Sequence, residues 1–199
     1  MRRILTLITL LGLGLAALAG CARSTPTNYY LLESGMAPLT AESLPPATLR
    51  GDMVEVPNYL NRNNIVSRFA GETRLILAEF HLWAEPVSNG VRRVVAETLT
   101  PPLLEAGVTV LPVGTANGGD YVLLLDVQRL DGNFNEKAVL ESRWTLHDKN
   151  DAPLAEGIFA AEEMVGGNDD NVLVAAESRL VRRMGDYLAE KLPPLLGRR

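Results

Sequence analysis

The run Tyr121-Val122-Leu123-Leu124-Leu125-Asp126-Val127, YVLLLDV, follows the turn Asn117-Gly118-Gly119 and is apolar at six of its seven positions. A strand with one wet face alternates apolar and polar residues, whereas a strand covered on both faces is apolar almost throughout. The run therefore reads as a central strand, and the segments on either side must supply its cover. Downstream, Ala138 to His147 continues the sheet with Val139, Trp144 and Leu146, Asp148 to Ala152 (DKNDA) makes a hairpin turn, and Leu154 to Glu163 returns. Upstream, Val108 to Val113 reads as a further strand.

Two segments change period from two to 3.6. Val91, Val94, Val95, Thr98 and Leu99 recur at helical spacing, with Ser88 placed to cap the start and Gly107 to stop the end. Pro101-Pro102 lies inside this pattern and is expected to kink the helix or end it early. Leu173, Ala176, Leu180, Val181, Met184, Tyr187, Leu188 and Leu192 share one face of the clearest helix, which Asn168, Asp169 or Asp170 would cap. Toward the N-terminus, Tyr29 to Leu32 is a β-type run, and Ser34 to Asp52, with three prolines and two glycines, reads as a surface loop. Met53 to Val56 alternates as a half-buried strand ended by Pro57; Ile65 to Phe69 and Leu75 to Trp83 follow as strands around turns. The expectation is an α+β domain with a mostly antiparallel sheet and two main helices, about 88–106 and 171–192.

The first 20 residues have a different character. Arg2 and Arg3 precede an apolar run from Ile4 to Leu18, then small residues and Cys21, the single cysteine of 199 residues. A charged start, a short apolar core and a small-residue site are the order of a secretory signal, and the run is short for a permanent membrane span. Leu18-Ala19-Gly20-Cys21 resembles the lipobox of bacterial lipoproteins. That resemblance implies cleavage between Gly20 and Cys21, with an S-diacylglycerol and an N-acyl chain on Cys21. Residues 1–20 are then a signal peptide, 21–27 a lipidated tether and 28–199 a single domain. Several acyl chains anchor stably where one is marginal. Ala22, in place of the Asp that favours inner-membrane retention in enterobacterial lipoproteins, points to the outer membrane, facing the periplasm. One cysteine leaves no intramolecular disulfide, so the fold rests on its core. The formal net charge is −5 and no basic stripe stands out, which argues against nucleic acid as a partner.

The residues that usually carry chemistry are sparse. There are two histidines, His81 and His147, and the cysteine is assigned to lipid. Glu79 and Glu85 lie at alternate positions and could share a strand face as an acid/base pair, but no nucleophile or metal cluster accompanies them. Gly166 to Asn171, GGNDDN, has the oxygens of a calcium loop without its spacing, and a helix cap accounts for them. The reading is a binding or scaffolding domain, not an enzyme, with no catalytic residue, no metal site and no cofactor beyond the covalent lipid on Cys21.

VEVPNYLNRNNIVSRF, residues 54–69, and AEFHLWAEPV, residues 78–87, carry a more specific pattern. A strand ends in Val54-x-x-Pro57-x-Tyr59-Leu60-x-Arg62, then Ile65-Val66-x-Arg68, then Phe80-His81-x-Trp83-Ala84-Glu85-Pro86 before the first helix. This resembles the ABC-type transport auxiliary lipoprotein family, in its PqiC-like branch. The resemblance implies an accessory lipoprotein at the outer membrane that docks a conduit formed by a PqiB-like MCE-domain protein, assembled as a homo-oligomeric ring and supporting envelope integrity. Tyr59, Leu60, Arg62, Arg68, Trp83 and Glu85 are the candidate partner or assembly interface, since Tyr, Trp and Arg are enriched at binding hot spots. Core packing for Tyr59 and Trp83 and turn stabilisation for Arg62 and Arg68 stand as equal alternatives. Two other functions remain open: a lipid-binding or chaperone lipoprotein carrying cargo in its own cavity, and an envelope hydrolase using Glu79 and Glu85.

Overall fold

The structure is a computed structural model and describes residues 24–35, 44–69, 71–115 and 117–196, with the side chain of Asp52 left out. Gly20, Cys21 and the rest of the stretch read as a signal peptide lie outside the described residues. The strands are β1 (Asn28–Tyr30), β2 (Ala47–Glu55), β3 (Asn64–Arg68), β4 (Leu75–Trp83), β5 (Val108–Val110), β6 (Tyr121–Gly132), β7 (Lys137–Asp148) and β8 (Pro153–Met164). The helices are α1 (Val87–Glu105), α2 (Asp170–Lys191) and a last turn, α3 (Pro193–Leu196).

All eight strands form one sheet organised by β6. One edge of β6 pairs with β7, and β7 with β8, both antiparallel. Its other edge takes β2 in parallel along residues 121–126 and β3 in parallel at Gly132. Beyond β3 lie β4 and then β1, and beyond β2 lies β5. The α+β class is as expected, but the sheet is mixed: four of the seven described strand pairings are parallel. Parallel neighbours need a crossover, and α1, between β4 and β5, supplies one.

β6 differs from the doubly covered strand read from its composition. Tyr121, Leu123, Leu125 and Val127 are buried while Val122, Leu124 and Asp126 are half-buried, so only one face is fully sealed. A register shift between Val127 and Arg129 moves the phase, and Leu130 continues the buried set. The core joins this face to α1 and α2 through Leu99, Leu103, Leu140, Leu146, Leu173, Leu180, Met184 and Leu188. The helices meet closely: a Cβ on Gly185 of α2 would stand 2.7 Å from Cβ of Thr98 on α1.

Helix boundaries fall within a residue or so of expectation, with two corrections. α1 is preceded by Pro86, without a side-chain cap bond, and Ser88 lies inside its first turn. Pro101 and Pro102 do not end it; the helix runs on to Glu105 and stops at Ala106, before Gly107 at φ 92°. Each proline removes one backbone bond to the carbonyl four residues before it, and the burial of Leu99 and Leu103 on either side holds the helix together. α2 is capped by Asp169, whose Oδ1 accepts from Val172 N at 3.1 Å. The expected loop over Ser34 to Asp52 is also shorter than read, because its last six residues belong to β2.

Candidate functional site

The polar motif residues around β3 converge on a residue that the motif does not contain. After Pro57, the chain makes a tight turn in which Leu60 N and Asn61 N both donate to the Pro57 carbonyl. That turn buries Leu60 and places Tyr59 over the end of β6. β3 meets β6 at Ser67 and Gly132, which sets Arg68 beside Asp131. Asp131, fully buried, accepts from Arg68 Nε at 2.9 Å and Arg68 Nη2 at 2.8 Å, from Tyr59 Oη at 2.9 Å and from Arg129 Nε at 3.1 Å. Burial alone would raise the Asp131 pKa; hydrogen bonds from Arg68 and Tyr59 and the charges of Arg129 and Arg68 outweigh it and hold the carboxyl below its usual range. The same contact raises the Arg68 pKa, while burial and Asp131 push the Tyr59 hydroxyl upward. The cluster is a charged joint between the Tyr59 turn, β3 and β6.

The other motif residues are placed separately. Trp83 is buried at the end of β4. Arg62 is exposed in the turn before β3. Glu85 follows the end of β4 and pairs with Arg93 of α1 at 2.7 Å, while the same guanidinium donates to the Leu32 carbonyl at 2.8 Å. This strap ties the segment after β1 to α1. Because β4 stops at Trp83, Glu79 and Glu85 do not share a strand face, and Glu85 is engaged by Arg93. His81 Nδ1 lies 2.8 Å from Tyr30 Oη and 3.1 Å from Asp170 Oδ2, its ring stacked on Tyr30. Burial raises the Asp170 pKa, opposed by His81 and reinforced by Asp169. No group of three His, Cys, Asp or Glu side chains that could hold a metal occurs among the described residues.

Two acidic residues escaped the motif reading. Asp131 stands in Leu130-Asp131-Gly132-Asn133, which looks like a turn after a strand. Glu177 lies within the apolar pattern of α2 and is almost wholly buried, with Oε2 unpartnered, so desolvation drives its pKa well above the ordinary glutamate value. Only the fold reveals that each is enclosed.

A second region has the opposite character. On β8, Leu154, Glu156, Ile158, Ala160, Glu162 and Met164 are exposed, while the residues between them face the helices or are partly covered. Beside it, two open grooves meet at Arg143, the first lined by Glu156, Gly157 and Ile158 and the second by Met53, Glu55, Leu124, Asp126 and Thr145 among others.

The family model of the ABC-type transport auxiliary lipoprotein component matches residues 29–189, from β1 to the last turn of α2. The chain belongs to this family. It is 27% identical over 134 residues to the intermembrane transport lipoprotein PqiC of Escherichia coli K12, covering 65% of this chain and 68% of that protein. Among solved structures, a protein of Xanthomonas campestris shares the fold at a TM-score of 0.70 and 17% identity, covering 86% of this chain and 96% of that one. A crystal structure of an uncharacterized protein matches at a TM-score of 0.66 and 20% identity, covering 84% and 99%. The family is one of transport auxiliary lipoproteins and not an enzyme family, and no helix among the described residues is long and apolar enough to cross a membrane.

Proposed function

We propose that this family member is an outer-membrane lipoprotein, acylated at Cys21, that docks the far end of a periplasmic conduit built by a PqiB-like MCE-domain protein and thereby supports lipid traffic and envelope integrity. Copies of the chain assemble around that end as a ring. The observation that carries the reading is the family match from residue 29 to residue 189, beginning directly after a lipobox and a short tether. The arrangement is suited to docking: Tyr59, Arg68 and Glu85 are spent on holding the domain rigid, and the sheet turns a bare edge and face outward. Mild cross-linking of cells expressing the full acylated chain with an MCE-domain protein of the same envelope, followed by affinity purification, is expected to recover both. Recovery of the intact lipoprotein alone would overturn the proposal. Membrane fractionation tests the location: Cys21→Ala is expected to shift the protein out of the outer-membrane fraction.

A cargo-carrying role would need more room than the apolar cleft between β2 and α1 offers: lined by Leu49, Val95, Leu99, Leu123 and Leu125 with Met53, it has space for about one water, about 20 Å³. Native mass spectrometry of the purified chain would show an added, non-covalent acyl mass if that cleft carries lipid.

A further inference from the structure

β8 is a twelve-residue strand at the rim of the sheet, and among the described residues β7 is its sole strand partner. Long, regular edges are usually blunted by bulges, prolines or lysines, because their unpaired backbone groups are a template for another strand. Here the ladder to β7 runs without a register shift from Met164 to Ala155, and Pro153 stands only at the first position. The direction of the backbone can be read at the far end. Val165 N donates to the Glu136 carbonyl on the β7 side, whereas the Glu162 carbonyl accepts from Arg183 Nη1 of α2 at 3.0 Å. Odd residues therefore turn their amides toward β7 and even residues turn theirs outward, as the period of two requires. Arg183 covers the edge at Glu162; among the described residues Leu154, Glu156, Ile158 and Ala160 keep exposed side chains and outward backbone groups that no other strand pairs. Leu154 is 43% and Ile158 69% exposed.

We infer that the open part of β8, Leu154 to Ala160, is the docking edge for the MCE-domain protein, which adds an extended segment to the sheet with aliphatic residues flanking a lysine or arginine. This rests on the docking role proposed above. Strand addition draws its affinity from main-chain hydrogen bonds and its selectivity from alternate side chains. The aliphatic requirement comes from Leu154 and Ile158, and the basic one from Glu156, the exposed carboxylate that stands between them on the same face of the edge strand. Ala160 leaves room for a large side chain of the incoming segment.

The test uses the full acylated chain co-expressed with the MCE-domain protein, capture being quantified after mild cross-linking. Ile158→Pro removes an outward amide and none of the bonds to β7, a position where an edge strand tolerates proline. It is expected to cut capture about tenfold, as loss of an interface hot spot does, with the melting temperature held. Ile158→Thr, which keeps a β-branched strand former, and Glu156→Lys are expected to lower capture by smaller factors and keep the inference testable should the proline variant fail to fold. Wild-type-like capture by these variants overturns the inference and leaves the docking role standing. Absence of capture by the wild type overturns both. A disulfide-linked homodimer of Ile158→Cys, in the acylated protein where Cys21 is occupied, would show a second copy on this edge and also overturn it.

Discussion

Asp131 and Ile158 sit on the same sheet with β7 between their strands, yet they are handled in opposite ways. The carboxylate of Asp131 is fully enclosed and both oxygens are held by cationic or hydroxyl donors from β3, β6 and the Tyr59 turn. Ile158, an aliphatic residue, is left 69% exposed on an edge that no other strand pairs among the described residues. An unpaired buried charge costs several kcal/mol, so the first region must be complete within the chain. An exposed apolar residue on a regular edge costs little in isolation and gains only when something covers it. The conspicuous motif thus builds the domain, while a strand with no motif offers the surface.

The comparison breaks first at Asp131. Asp131→Ala should destabilise the fold by about 3–5 kcal/mol, because it leaves Arg68 and Tyr59 facing a partly buried void; chemical denaturation measures it, and a loss under about 1 kcal/mol would mean that the joint is not structural. The pH dependence follows in sign. The Asp131 carboxyl is held below its unfolded value, so its contribution is complete above the ordinary aspartate range and is lost as pH falls through the lowered folded value.

Next in size is Gly157. An added Cβ there would lie 2.7 Å from the Trp144 indole, so Gly157→Ala should cost about 1–3 kcal/mol through overpacking. A melting temperature equal to that of the wild type would show that the indole moves aside.

Glu177 gives a smaller effect of opposite sign. Its folded pKa is raised, so the native state holds the proton more tightly and the wild type loses stability as pH rises above the ordinary glutamate value. Glu177→Gln should therefore be more stable than the wild type at neutral pH, with the advantage fading toward pH 4; an advantage independent of pH would remove ionisation as its cause. Smallest of all, Ile158→Thr should change stability by no more than about 0.5 kcal/mol, as expected of an exposed position. A large loss would place Ile158 in the core and erase the contrast between the two regions.

Much of the architecture was legible because local patterns and tertiary demands agree. The 3.6-residue spacing from Leu173 to Leu188 marks a helix face that must be buried, and Asp169 caps it from within the expected group of residues. The turn at Asp148 is equally local: its Oδ1 accepts from Asn150 N and Ala152 N. Parallel pairing of β2 and β3 with β6 was not legible, since strands far apart in the chain leave no periodic signature of which edge they join. The candidate site was legible in part. Tyr59 and Arg68 stand out by their chemistry, but their shared partner Asp131 lies 63 residues beyond Arg68 and reads locally as a turn.

Alone, the sequence determined what short-range physics controls: an apolar stretch that runs up to the small residues before Cys21, strands and helices from their periods, their caps and turns, and the motifs that mark the family. Tertiary structure decided which groups are enclosed. Burial depends on what distant segments bring to a position, and so Asp131 and Glu177 became interior while Leu154 and Ile158, aliphatic and strand-forming, were left facing outward on the last strand of the sheet.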